Sequence, residues 1–341
     1  ISECLVGSEM CIRDRCYIVC DADGLPVDIR VRESGTSERL IESFMLAANE
    51  CVAEHLQKAA LPAVYRVHEK PSADKATNLK AMLAPLGFAL READNGSLQK
   101  VLDAARGTPQ APAIHTMVLR SLMKARYDVQ NLGHFGLAAK YYCHFTSPIR
   151  RYPDLMVHRI LTALLDGTLG EGWSAGALSA AAQRAAVQSS EREIAAMSAE
   201  REIEKCYMAE FMSAHVGETF PGAVSGVTRF GLFVALANGV EGLLPVTALP
   251  DDRYEYDEVR MTLTGSRTKL TYSFGMPLEV LCAAANAGSG QIDFTLPGVE
   301  GAAPRAIPAA APKHQTRTKA KRPSGKPAYR PPKRERGRKK R

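Results

Sequence analysis

No stretch of about 18 uncharged apolar residues occurs in the chain, so no segment reads as a membrane-spanning helix. No basic segment followed by an apolar run opens it, so a secretory leader is not indicated. The eight cysteines (Cys4, Cys11, Cys16, Cys20, Cys51, Cys143, Cys206 and Cys282) show no paired C-x-x-C spacing. That argues against zinc and against a disulfide framework, and for reduced thiols in a cytoplasmic protein. Cys4, Cys11, Cys16 and Cys20 lie close together, but irregularly and with no His beside them, so a metal site is not read there. Acids are nearly absent from the end: residues 302–341 hold 15 Lys and Arg against Glu335 alone. The chain's net charge of +7 therefore hides a body that carries about −7. A basic tail on an acidic body points to a polyanion partner.

The 341 residues leave room for two or three domains, and 45% apolar content suffices for a sizeable core. Residue 1 is Ile rather than Met, so a piece of a longer protein is expected. Residues 1–15 show no usable period and are left unassigned, as sequence foreign to the natural protein or disordered. Tyr17 to Val31 reads as two short strands around Asp21-Ala-Asp-Gly24. Ser37 can cap a helix with Leu40, Ile41, Phe44, Met45, Ala48, Val52 and Leu56 at helical spacing. A short strand near Leu61–His68 precedes three amphipathic helices, near 73–84, 97–106 and 112–125. After a loop at 167–176, a long Glu- and Arg-rich helix runs from about 177 to 214.

The densest chemistry runs from His134 to Arg159, through His134-Phe-Gly-Leu137 and His144-Phe-Thr-Ser-Pro-Ile-Arg-Arg-Tyr-Pro-Asp-Leu155. Thr146-Ser147-Pro148 is a turn, because Pro148 fixes its own φ and pushes Ser147 out of the α region. Pro153 suits a first helical turn. The helix that follows, to Asp166, is apolar apart from a stripe of Asp154, His158 and Thr162. Hydrogen-bonded polar groups on a buried helix explain that stripe equally well. Two guanidiniums at a turn leading into a helix N-terminus suit a phosphodiester.

At these residues the sequence closely resembles the ribonuclease II/ribonuclease R family. The resemblance implies a 3′-to-5′ processive exoribonuclease that hydrolyses single-stranded RNA to nucleoside 5′-monophosphates in RNA decay. It implies Arg150 as the phosphate clamp, with Arg151 beside it, and Tyr152, His144 and His158 shaping the RNA channel. The Ile41–Glu50 segment resembles a family helix that carries an acid near the 3′-terminal nucleotides, which falls on Glu42. Met197–Ile203 resembles a helix beside the active site, which puts a catalytic-site acid at Glu200. A solvated helix-face carboxylate explains either glutamate as well. The magnesium-binding aspartates of the family have no counterpart here and are expected upstream of residue 1. A chain limited to these residues is thus expected to bind RNA and to be inactive alone.

From Gly217 the signals turn to β: short alternating runs punctuated by Gly, Asn-Gly and Pro. Leu232, Val234 and Leu236 share one face, which leaves Phe233 on the other beside Phe230 and Arg229. That exposes two rings for base stacking, unless Phe233 belongs to a second buried face. The pattern resembles the ribosomal-protein S-one type of OB-fold, except that Pro245 stands where that type usually has a His.

The expected fold is α+β. The C-terminal half of an RNB catalytic domain, with helices packed on a mixed sheet, spans 16–214. An all-β five-stranded OB-fold barrel of the S-one RNA-binding type spans 215–297, and a disordered Lys/Arg/Pro-rich tail spans 298–341. Expected partners are single-stranded RNA, held also by Lys333, Arg334 and Arg336 of the tail, and ribosome-associated RNA, with the protein a monomer. The rival reading is a non-catalytic RNA-binding protein that uses the barrel and the tail.

Overall fold

A hairpin of β1 (Cys16–Cys20) and β2 (Pro26–Val31) opens the computed structural model, which describes residues 16–31, 35–108, 111–169, 175–250, 252–258 and 260–298. The Asp21 carboxylate accepts the N–H groups of Asp23 and Leu25, which closes the turn between them. Residues 1–15, and the tail with Lys333, Arg334 and Arg336, lie outside the described residues. No described helix is long and apolar enough to cross a membrane.

Helix α1 (Thr36–Lys58) starts one residue before the expected Ser37 cap, on an extended Gly35 without a side-chain cap bond. Its second half buries Asn49, Ala53 and Leu56. Its first half differs from expectation, because Leu40, Ile41 and Phe44 stand open. The period was right, but nothing among the described residues packs on those turns. Strand β3 (Tyr65–Val67) then pairs antiparallel with β4 (Arg126–Asp128). Between them, α2 (Ala73–Leu83), α3 (Asn95–Ala105) and α4 (Ala111–Ser121) close a satellite core of Leu79, Leu83, Leu98, Leu102, Ile114 and Val118. The side chains of Ser72 and Asp94 cap α2 and α3.

Helix α5 (Tyr152–Leu165) follows the Thr146–Pro148 turn with Pro153 in its first turn, as the sequence requires. It buries Met156, Val157 and Ile160 against α1, β3 and the start of α6 (Ala175–Ser213). Helix α6 is about 58 Å long at 1.5 Å per residue. Its first half buries Leu178, Ala182, Ala185 and Ala186 in that core. Its last turns bury Ala209 and Met212 in a different one. The two stripes are turned from each other by nearly half a circle, so α6 spans two cores with two faces.

The second core is a closed barrel of β5 (Thr219–Thr228), β6 (Gly231–Leu236), β7 (Glu241–Pro245), β12 (Gln291–Thr295) and β11 (Pro277–Asn286). Its contacts are antiparallel except β7 with β12, which run parallel. Closure leaves no edge strand. Leu232, Val234 and Leu236 point inward, as alternation demands, with Val280, Cys282, Ile292 and Phe294. Gly242 has to be glycine, because a Cβ there would run into the Phe294 ring. Ile29 of the hairpin joins this core, so β2 as well as α6 packs on the barrel.

A three-stranded sheet of β8 (Tyr254–Asp257), β9 (Thr262–Gly265) and β10 (Thr271–Ser273) interrupts the barrel between β7 and β11. The sequence reading had no separate sheet there. Its strands are short: Leu263 and Tyr272 are buried in the core, and Tyr254 packs against it partly buried. A carboxylate clasp holds it instead: Asp252 accepts the N–H groups of Arg267 and Thr268 and the Thr268 hydroxyl, at 3.0, 2.8 and 2.7 Å. Those bonds hold the Asp252 carboxyl well below the usual carboxylate range.

Candidate functional site

The site begins at Asn49, a buried amide on α1. Its Oδ1 accepts the Phe145 N–H at 2.9 Å, and its Nδ2 donates to the Tyr142 hydroxyl at 3.2 Å. The Cys143 thiol adds a bond to the Asn49 carbonyl. One helix turn thus fixes the strand-like run from Tyr142 into the Thr146–Pro148 turn. From the other side, His158 of α5 stacks on Phe145 at 4.1 Å and bonds its carbonyl. That gives His158 a packing role, in line with a polar group satisfied inside the fold.

Asp154 anchors the turn. It is fully buried, and its Oδ2 accepts the Ser147 N–H and an Arg151 guanidinium N–H, both at 2.8 Å. The two adjacent arginines therefore part ways. Arg151 folds inward onto Asp154, whereas Arg150 is exposed at the start of α5 with no side-chain hydrogen bond or ion pair among the described residues. Tyr152, half exposed, stands beside it.

Behind the turn a wall of rings lines a cavity of about 370 Å³, bounded by Glu42, Arg66, His68, His134, Tyr142 and His144. The Tyr127 hydroxyl lies 2.9 Å from His144 Nδ1. Burial pushes the Tyr127 hydroxyl up to about 12, so it keeps its proton and donates it. Burial, reinforced by Arg151 and Arg66, holds His144 down to about 2. His144 is thus neutral, with its ring proton on Nε2. Burial and His68 likewise hold His134 down to about 3. His68 is satisfied at both nitrogens: Nδ1 accepts the Gly136 N–H, and Nε2 meets the Met123 carbonyl at 2.7 Å. Gly136 is needed, since a Cβ there would lie 2.9 Å from the His68 ring.

Arg66 closes the wall. Its guanidinium sits 4.6 Å over the Tyr127 ring and donates to Glu193 of α6 at 2.6 Å. Ser190, one turn earlier, accepts the Tyr127 N–H at 3.0 Å. Sequence reasoning placed an acid of this helix at Glu200; the structure brings Glu193 to the wall and leaves Glu200 exposed. A signal for Glu193 existed. Ser190 and Glu193 continue the buried stripe of Ala182 and Ala186, polar residues on an otherwise packed face. Glu42 lines the cavity.

On the barrel, Phe230 is 55% exposed and meets the half-buried Phe233 edge-on at 6.2 Å. Arg229 beside them is exposed. Gly226 lies across from Phe233, with space that a side chain would contest at 3.4 Å from the ring. Phe233 therefore belongs to the outer face rather than to a second core.

The family model described as "RNB domain" matches residues 11–167, and "S1 RNA binding domain" matches residues 213–270. Residues 11–167 thus resemble an RNB domain and residues 213–270 an S1 RNA binding domain. Ribonuclease R 1 of Lactococcus lactis is 43% identical over 285 residues, which cover 81% of this chain and 34% of that protein. Ribonuclease R of Escherichia coli is 36% identical over 278 residues, 79% of this chain and 34% of that protein. The apo form of Mycoplasma genitalium RNase R superposes with a TM-score of 0.77 at 29% identity, over 83% of this chain and 45% of that one. The same enzyme has been solved with ribose methylated single-stranded RNA, again with a TM-score of 0.77. The chain thus spans 34–45% of the length of these relatives. The family resemblance brings magnesium with it. Among the described residues no three His, Cys, Asp or Glu side chains gather to hold a metal ion, and Glu193 is already paired to Arg66. The described residues do not fit a magnesium site.

Proposed function

We propose that the protein acts as a 3′-to-5′ exoribonuclease on single-stranded RNA, releasing nucleoside 5′-monophosphates. The observation that carries this reading is the exposed Arg150 guanidinium at the N-terminus of α5, whose charge acts on His144, a residue of the cavity that Glu42 and Arg66 also line. A planar fork with free N–H groups can grip two phosphate oxygens and meet the charge that develops on them. The His144 Nε2–H is a second neutral donor in the same wall, and Glu42 can accept from a ribose hydroxyl or a base edge. RNB-family ribonucleases work with a divalent metal, and magnesium is our assignment for this one.

The barrel supplies the other half of the reading. Phe230 and Phe233 offer ring faces to successive bases and Arg229 a charge to the backbone. Single-stranded RNA is therefore the substrate rather than a duplex, whose stacked bases cannot reach those rings. The basic tail can gather RNA by counterion release. We also assign the protein to the cytoplasm, on cysteines that show no paired C-x-x-C spacing.

The test uses a 5′-labelled oligoribonucleotide and the complete natural protein with magnesium. A ladder shortening from the 3′ end, with mononucleotide release and resistance of a 3′-blocked RNA, is the expected result. Tight binding with no shortening would favour the non-catalytic RNA-binding reading.

A further inference from the structure

We propose that Asp154 selects which of two adjacent guanidiniums meets the phosphate: it draws Arg151 into the protein and leaves Arg150 alone to face the RNA. The inference rests on the exoribonuclease reading of this turn. Asp154 is a positioning residue in it, acting through its neighbours.

Asp154 is wholly closed off from solvent. A carboxylate in such a place is costly unless a charge is paired to it, and Arg151 is the cation it has, at 2.8 Å. Arg151 is therefore committed: leaving for a phosphate would strand Asp154. The same Oδ2 holds the Ser147 N–H, so one oxygen fixes both the turn and the guanidinium. The backbone N–H groups of Arg150 and Arg151 return to the Ser147 carbonyl at 3.3 and 3.1 Å, which locks the direction in which Arg150 leaves the turn. Arg150 has no such commitment. Both guanidiniums nevertheless act on His144, which places them near one wall. The second Asp154 oxygen and the Arg151 Nε have no protein partner, so a single charged contact holds Arg151 back. Removing that charge should free a second clamp.

Two readouts test the proposal. Phenylglyoxal modification mapped by mass spectrometry reports which guanidinium is accessible. In the unaltered chain Arg150 should be modified quickly and Arg151 shielded; in Asp154→Asn both should react. Titration of a labelled single-stranded oligoribonucleotide over a salt series reports phosphate contacts. Arg150→Gln should flatten the log K against log salt slope by about 0.7, one phosphate contact, and Arg151→Gln should leave slope and affinity nearly unchanged. Asp154→Asn should steepen the slope by about 0.7 and raise low-salt affinity roughly threefold. A purely structural Asp154 would lower affinity instead. Adding Arg151→Gln to Asp154→Asn should remove the gain.

The proposal is overturned if Arg151 reacts as fast as Arg150 in the unaltered chain, or if Arg151→Gln costs as much affinity as Arg150→Gln. Those two results decide the matter even if Asp154→Asn fails to fold. A shielded Arg151, with Arg150 that RNA does not protect, would overturn the exoribonuclease reading and leave the Asp154 catch in place.

Discussion

Arg66 and Glu193 join β3 to the middle of α6 through a 2.6 Å ion pair that backs the ring wall of the site. Arg66 is nearly buried, with 13% of its side chain exposed, and its other contact is the face of Tyr127. The pair therefore ties three things together: the position of α6 along its axis, the Tyr127 ring, and through it the His144 tautomer.

Removing Glu193 should leave the Arg66 charge stranded against an aromatic wall. Glu193→Ala is expected to cost about 2–3 kcal/mol of stability and to slow RNA degradation, whereas Glu200→Ala stays within about 0.5 kcal/mol. Thermal unfolding of both variants, with rate measurements on the complete protein, checks this. Equal effects would mean that the Arg66 pairing of Glu193 carries no more weight than an exposed carboxylate.

Glu200 rests on the resemblance of Met197–Ile203 to a helix beside the active site, whereas the Arg66 pairing of Glu193 is visible only in the structure. Residues 193 and 200 lie one heptad apart, so they share a face and differ by about 10 Å along the axis. Periodicity reports the face; the axial position depends on where β4 crosses, at Ser190, and no local pattern encodes that. The Thr146–Pro148 turn, α5 and the outward Phe233 were legible because each follows from local rules: proline, capping and alternation. The inward fate of Arg151 was not, since two neighbouring arginines look alike until the burial of Asp154 distinguishes them. The β8–β10 sheet escaped for a related reason, because the Asp252 bonds that clasp it span 15 and 16 residues.

The neutral histidines set a pH dependence. Burial holds His134 down to about 3 and His144 down to about 2, below the unfolded value near 6.5. The unfolded chain then binds more protons than the folded one across this range. Their contribution is whole above about pH 6.5 and is lost as pH falls toward the folded values, by at most about 1.4 kcal/mol per pH unit for each ring. Melting temperatures should fall steadily from pH 7 to pH 4.5. The carboxylates held low, such as Asp28 and Asp94, start from 3.8 and enter only below that window. His144→Gln should flatten the decline; an unchanged decline would mean that His144 is not buried neutral.

Asn49 carries the link between α1 and the turn. Asn49→Ala removes the acceptor of the Phe145 N–H and the partner of the Tyr142 hydroxyl in a closed environment. A loss of about 2–4 kcal/mol is expected in urea unfolding. Because the same bonds set the run into Ser147, turnover of the complete protein should fall further than the stability loss explains at a temperature where the variant is folded. Full turnover in a folded Asn49→Ala protein would mean that Asp154 alone sets the turn.

Phe230 and Phe233 separate binding from folding on the barrel. Phe230 has over half its surface open and contributes little to the core, while Phe233 is half-buried beside Gly226. Phe230→Ala should weaken binding of a labelled single-stranded oligoribonucleotide by about 1–3 kcal/mol, the worth of one stacked base, and leave barrel stability intact. Phe233→Ala should weaken binding similarly and destabilise the barrel as well, because half-buried Phe233 sits across from Gly226 of β5 and Leu243 of β7. Neither change removes a charge, so neither should alter the salt slope, unlike Arg229→Gln, which should flatten it by about 0.7. Fluorescence anisotropy across a salt series reads all three at once. Undiminished affinity in Phe230→Ala would mean that the two rings pack only on each other at 6.2 Å and do not take a base.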